Sequence, residues 1–169
     1  GYRLKAIEIL SKLDKAKINS EFQIAVACFI GQKNADSKDS VYRYDAIQTL
    51  TELDKNEIND KILEAVANFI CNKVENSYYR LNAILILIDL DKNKINDKIL
   101  KAVADIICDK KSPSRDRLKA IGTLIKLDKS MINNEILKPV ADIICDKKLH
   151  SYDRLEAIET LIKLDKSMI

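Results

Sequence analysis

The sequence predicts an all-α protein, an α-solenoid of stacked antiparallel helix pairs with about four and a half repeats of 37–40 residues. Three observations carry that reading. The 169 residues are 47% hydrophobic and 33% charged but include only 3 Gly and 2 Pro, a poverty of breakers that favours helix. The tripeptide Leu-Asp-Lys recurs at 13–15, 53–55, 90–92, 127–129 and 164–166, in steps of 40, 37, 37 and 37. Each unit between those landmarks resolves into two apolar stripes at helical spacing.

The units run over residues 1–39, 40–76, 77–113 and 114–150, with a half repeat at 151–169, all within one domain. In the first helix of the fourth unit, Leu118, Ala120, Ile121, Leu124 and Leu127 form one stripe. Ser114 stands where an N-cap belongs, as do Ser40, Ser77 and Ser151 in their units. Lys129 follows the helix end, where a cation favours the macrodipole. Asp14, Asp54, Asp91, Asp128 and Asp165 are placed to close Asx-type turns. Asn133 or Asn134 then caps a second helix whose buried side carries Ile136, Val140, Ala141, Ile143 and Ile144. Short connections make consecutive helices antiparallel. A lone pair cannot bury both stripes, so units must stack. The three extra residues of the first step fall near "KNADSKDS" (33–40), a polar stretch suited to an enlarged loop.

The run "DKKSPSRDRLKAIGTL" (109–124) resembles the HEAT-repeat pattern, with Asp109 before the loop and Arg117, Ala120 and Leu124 after it. The next unit matches at Asp146, Arg154, Ala157 and Leu161, whereas earlier units hold Asn72 or Gln32 at the Asp position. Tetratricopeptide and ankyrin signatures are absent, and an armadillo repeat would need a longer unit. The resemblance implies a non-enzymatic scaffold whose curved surface holds a protein, a peptide or, less often, nucleic acid.

Catalytic and metal chemistry find little footing. Cys71, Cys108 and Cys145 recur every 37 residues, which in stacked helices places them roughly 8–10 Å apart. A disulfide needs Cα atoms within about 7 Å, so these thiols and Cys28 are expected to be buried or half-buried space fillers in a reducing compartment. No Cys-x-x-Cys pair exists, His150 lacks a paired nucleophile, and no Gly-rich phosphate loop is present. No cofactor, no metal and no enzymatic activity are expected. The longest apolar run, Ala83 to Ile88, is too short for a bilayer, and "GYRLKAIEIL" is no signal peptide, so a cytoplasmic protein without membrane contact is expected.

Charge is balanced at +3, from 29 basic and 26 acidic residues. Arg3, Arg43, Arg80, Arg117 and Arg154 follow the repeat. A first helix spans roughly 16 Å, so Arg117 cannot reach Asp128 at its far end. It can reach Asp109, or the carbonyls that end the preceding second helix. The expectation is a structural ladder of Arg–carboxylate pairs, with Asp109 and Asp146 as partners in the last two full units. Lys110, Lys111, Arg115, Lys147, Lys148 and His150 form a basic edge that could meet phosphates. Cations at helix C-termini explain it without a ligand.

Positions that break the repeat are the best pointers to a partner. The outward positions of the first helices are Lys5, Glu8, Lys12; Asp45, Gln48, Glu52; Asn82, Leu85, Asp89; Lys119, Gly122, Lys126; and Glu156, Glu159, Lys163. Leu85 and Gly122 occupy one position in adjacent units and are expected to form an apolar notch bounded by Gln48, Asn82, Asp89, Lys119 and Lys126. Pro139 replaces Ala25, Ala65 and Ala102 and predicts a kink or a late helix start. Tyr78, Tyr79 and Tyr152 cluster near helix starts, where they could help at an interface but are expected rather to plug gaps between loops. The string "LIKLDKSMI" stands at 124–132 and again at 161–169, where its second helix is missing. Met168 and Ile169 should therefore dangle, and the chain is expected to be a fragment of a longer solenoid or to bury its last helix against another copy. The function that follows is recognition of a protein or peptide by a solenoid surface. The alternatives are a nucleic-acid-binding solenoid using the lysine-rich edge and a self-associating segment, a homo-oligomer through open ends.

Overall fold

In a computed structural model of the chain, residues 20–32 and 39–168 are described, without the side chains of 20, 21, 57, 129 and 165–168. Among the described residues there are eight α-helices and no strand: α1 (Ser20–Ile30), α2 (Ser40–Thr49), α3 (Asp60–Cys71), α4 (Ser77–Leu90), α5 (Asp97–Cys108), α6 (Ser114–Leu127), α7 (Asn134–Cys145) and α8 (Ser151–Met168). Short 3₁₀ turns follow three of the first helices, at Leu50–Glu52 and Lys55–Glu57, at Lys92–Lys94 and at Lys129–Met131. Arg3, Lys5, Glu8, Lys12, Asp14 and most of the 33–40 loop lie outside the described residues.

Recurring residues set the helix boundaries. The Asp54, Asp91 and Asp128 carboxylates accept the amides of Asn56, Asn93 and Ser130 at 2.9–3.0 Å, closing the expected Asx turns. Asn59, Asn96 and Asn133 then cap the second helices, accepting from Ile62, from Lys98 and Ile99, and from Glu135 and Ile136. Each such cap is worth about 1 kcal/mol.

The chain forms two compact units, Gly1–Ile99 and Leu100–Ile169, with the division inside α5. In the first, α1 packs on α3 and on α2, and α4 packs on α2 and on α3. Each of these two helices thus meets both its neighbour in the chain and the helix beyond that one. In the second unit α8 packs on both α6 and α7. Ile62, Val66, Phe69, Leu81, Ile84 and Leu87 are buried in one unit; in the other, Leu118, Ile121, Leu124, Ile136, Val140 and Ile143 of the predicted stripes are buried, while Leu127 and Ile144 are half-buried. Burying each such side chain is worth roughly 1.5–3 kcal/mol before entropy is counted.

Four expectations are corrected. The serines are the first helical residues rather than N-caps. Asn76 and His150 do the capping, accepting from the amides of Tyr78 and Tyr152, while α6 starts after Pro113. The Ser40 and Ser114 hydroxyls instead donate to Glu75 and Asp153. Of the two outcomes expected at Pro139, the late helix start is not seen, since α7 has 12 residues like α3 and α5. The carbonyl that Pro139 deprives of an amide, that of Glu135, faces the Cys108 thiol at 4.0 Å. Ala141 is exposed rather than on the buried side of α7. Met168 does not dangle but ends α8, and Ile169 lies outside the described residues.

Candidate functional site

The recurring polar residues must first be separated from any site, because most are consumed by the junctions between repeats. Arg80, Arg117 and Arg154 donate through Nε to the carbonyls of Ile70, Ile107 and Ile144 at 2.7–2.9 Å. Those carbonyls end α3, α5 and α7, where acceptors are orphaned and the helix dipole is negative. Arg117 also donates to the Pro139 carbonyl at 3.4 Å. The ladder thus runs to backbone oxygens, and Asp109 and Asp146 are not its partners. Their carboxylates accept the amides of Lys111 and Lys148, closing the turns ahead of α6 and α8.

Arg43 is the exception. Its Nη1 donates to the Gln32 carbonyl at 2.8 Å. Nη2 lies 2.6 Å from Glu75 as an ion pair, without the alignment of a hydrogen bond, and Nε finds no acceptor. Glu75 in turn accepts from the Ser40 hydroxyl and the Asn72 amide. Arg43 is only 2% exposed and stacks over the Phe69 ring at 5.6 Å. Removing one partner of so buried a pair typically costs about 3–5 kcal/mol. Ser114 repeats the theme in the second unit, donating to Asp153 at 2.6 Å. Sequence reading missed these carboxylates. The acids two residues after Ser114 and Ser151, Asp116 and Asp153, were the available signal.

The outward positions behave largely as expected. Gln48, Glu52, Leu85, Asp89, Lys119, Lys126, Glu159 and Lys163 are exposed, while Asp45, Asn82, Gly122 and Glu156 are half-buried. Leu85, 40% exposed, is an apolar side chain in a polar series. Asp89 is engaged by Lys55, whose ammonium donates to its carboxylate at 3.1 Å and its carbonyl at 2.6 Å. Leu85 and Gly122 fall in different units, so each is placed by itself. Gly122 has no heavy atom within 4 Å of where a Cβ would stand. It lies in a groove of about 420 Å³ between α6 and α8, with Leu118, Ile125 and Leu155 as apolar lining and Lys126, Glu156, Glu159 and Lys163 at its polar edge.

The basic edge is open: Lys110, Lys111, Arg115, Lys147, Lys148 and His150 are all exposed, and Lys110 lies 3.9 Å from Asp142. The cysteines are less buried than expected. Cys28, Cys108 and Cys145 are exposed and Cys71 half-buried, and none of them is in a disulfide. They sit at the rims of the second helices, where the Cys71 thiol faces the Lys98 carbonyl at 3.7 Å. Cys108 is exposed as a residue, but its neighbours still shield the thiol in part. That desolvation pushes its pKa up; Arg117 opposes the rise, and Asp105 and Glu135 add to it. Tyr79 fills a gap by stacking on Tyr44 at 5.1 Å, with Tyr78 edge-on to it at 5.5 Å, whereas Tyr152 is exposed. Burial also raises the Tyr44 phenol, with Tyr78, Asp45 and Tyr79 contributing.

Among the described residues no cluster of His, Cys, Asp or Glu could hold a metal, and no helix is long and apolar enough to cross a membrane. Comparison with known protein families, curated proteins and solved structures finds no match.

Proposed function

We propose that the chain is a HEAT-like α-solenoid acting as a non-enzymatic scaffold that recognises a protein or peptide. The carrying observation is the division of labour among its polar residues. The recurring Ser, Arg, Asn and Asp are spent on caps, turns and inter-repeat bonds. Two features of the outward face break the repeat and lie open: Leu85 on α4, and the groove at Gly122 between α6 and α8. An apolar groove with a mixed-charge edge suits an amphipathic peptide. Selecting a random peptide display library on the protein tests this. Peptides that bind the wild type and lose about tenfold affinity on Leu85→Glu or Gly122→Ala are expected, a change of roughly 1.4 kcal/mol. No enrichment, or affinities untouched by both substitutions, contradicts the reading.

One observation favours nucleic acid as the alternative. The basic edge is exposed on two turns that precede α6 and α8, helices that pack on each other. That reading requires binding of a random-sequence oligonucleotide that falls steeply with salt and weakens on Lys110→Glu with Lys147→Glu.

A further inference from the structure

The groove between α6 and α8 carries charges in an order that the repeat does not supply. The Ser114 hydroxyl bonds to Asp153 at 2.6 Å, so the two helices start side by side. Gly122, Ile125 and Lys126 of α6 line the groove together with Glu156, Glu159 and Lys163 of α8. Positions 37 residues apart are equivalent, which sorts these residues into three levels. The first holds Lys119 and Glu156, the second Gly122 and Glu159, and the third Lys126 and Lys163. The levels are three and then four residues apart, roughly 5 Å and 6 Å along a helix. In α2 and α4 the third level holds Glu52 and Asp89, so the paired lysines are particular to this groove.

Four of these charges are not spent within the chain. Lys126, Glu156, Glu159 and Lys163 form no ion pair among the described residues, whereas Lys55 holds Asp89 at 3.1 Å and Lys94 holds Asp60 at 2.7 Å. Between the charged levels the floor is open, since no heavy atom lies within 4 Å of where a Gly122 Cβ would stand. One apolar side chain of a ligand fits there. It would have the two lysines on one side and the two glutamates on the other.

We propose that the groove selects helical peptides by the order of their charges: an acid, an apolar anchor four residues on, and a base three residues beyond it. The peptide runs antiparallel to α6 and α8, and the proposal rests on the peptide reading of this groove. Positions i, i+4 and i+7 of a peptide helix share one face and span about 10 Å. That is the separation between the lysine level and Glu156. The antiparallel direction places the N-terminal half of the peptide at Lys126 and Lys163. The peptide's own dipole favours an acid there and a base at the other end. A peptide of the reverse order must set like charge against like, or run parallel with its dipole opposing both charges.

Peptides selected from the random display library are the probes, and fluorescence anisotropy at low salt gives their affinities. The selected peptides should carry acid, anchor and base in that order and spacing. Exchanging the acid and the base within a peptide should weaken binding to the wild type about tenfold, the combined effect of several exposed charge pairs. Combining Lys126→Glu, Lys163→Glu, Glu156→Lys and Glu159→Lys should invert the preference, so that the exchanged peptide binds more tightly. Circular dichroism confirms that this variant folds, and the exchange on the wild type needs no variant. Binders without the charge order, or an exchange that leaves affinity unchanged, would overturn the proposal, as would a preference that survives in the folded variant. If those binders still weaken on Gly122→Ala, the charge order alone fails and the peptide reading stands; no enrichment removes both.

Discussion

Residues 124–131 and 161–168 share the sequence "LIKLDKSM" and fold differently. In the first copy α6 stops at Leu127, and Asp128 takes an extended conformation with φ −155° and ψ 102°. Its carboxylate accepts the Ser130 amide and hydroxyl, a 3₁₀ turn follows, and Asn133 starts α7. In the second copy the backbone stays helical to Met168. Local propensity is the same in both, so the difference comes from what packs around it. The Asp-Lys-Ser turn is marginal on its own. It is held where the apolar residues of α7 come back to be buried.

The largest expected effect compares equivalent isoleucines on the two helices. Ile121→Ala should cost about 2–5 kcal/mol in chemical denaturation, because the residue is fully buried. Ile158→Ala should cost less than about 1 kcal/mol at low protein concentration, because that side chain is partly in water. Equal costs would mean that the two helices have the same neighbours after all.

A smaller contrast separates the two turns. Asp128→Ala should lose about 1 kcal/mol with its bonds to Ser130. Asp165→Ala, in continuous helix, should be neutral or slightly stabilising, since alanine is the better helix former. Thermal unfolding of both variants distinguishes the outcomes. Gly122→Ala should then raise stability by about 1 kcal/mol, because the added methyl meets nothing and the helix gains propensity. A loss of stability would place an unseen neighbour in the groove.

The smallest effect is chemical. With its pKa raised above the ordinary 9.0, Cys108 should alkylate with a pH midpoint higher than that of a free thiol. The sign follows from linkage: the folded state holds this proton more tightly, so the contribution is present below the unfolded pKa and lost as pH rises through the folded one. Iodoacetamide rates followed by peptide mass spectrometry give the midpoint. A value below 9.0 would contradict the shielding of the thiol.

Much of the fold was legible because the signals are local. Apolar spacing, the Asx carboxylates and the Asn caps act within a few residues of themselves. The serines and arginines were read in the right register but given the wrong partners. A serine ahead of an amphipathic helix looks like a cap whether or not the residue before it has taken that job. Only the packing of α6 on α8 reveals that Ser114 reaches Asp153. Likewise an arginine beside a carboxylate in sequence suggests an ion pair, yet the carbonyls at a helix end are closer and need no side chain to find them. Leu85 was legible as an apolar outlier. The groove at Gly122 was not, because it depends on the side chains of the neighbouring helix.

The central claim is that the chain is a stack of interchangeable repeats, each stabilised mainly by its neighbours. Deleting residues 77–113, one whole repeat, joins residue 76 to residue 114 in register. Circular dichroism with chemical denaturation should find the shortened chain helical and cooperative, with a smaller unfolding free energy. A chain that loses its helicity and its cooperative transition would contradict the repeat architecture and the scaffold reading built on it.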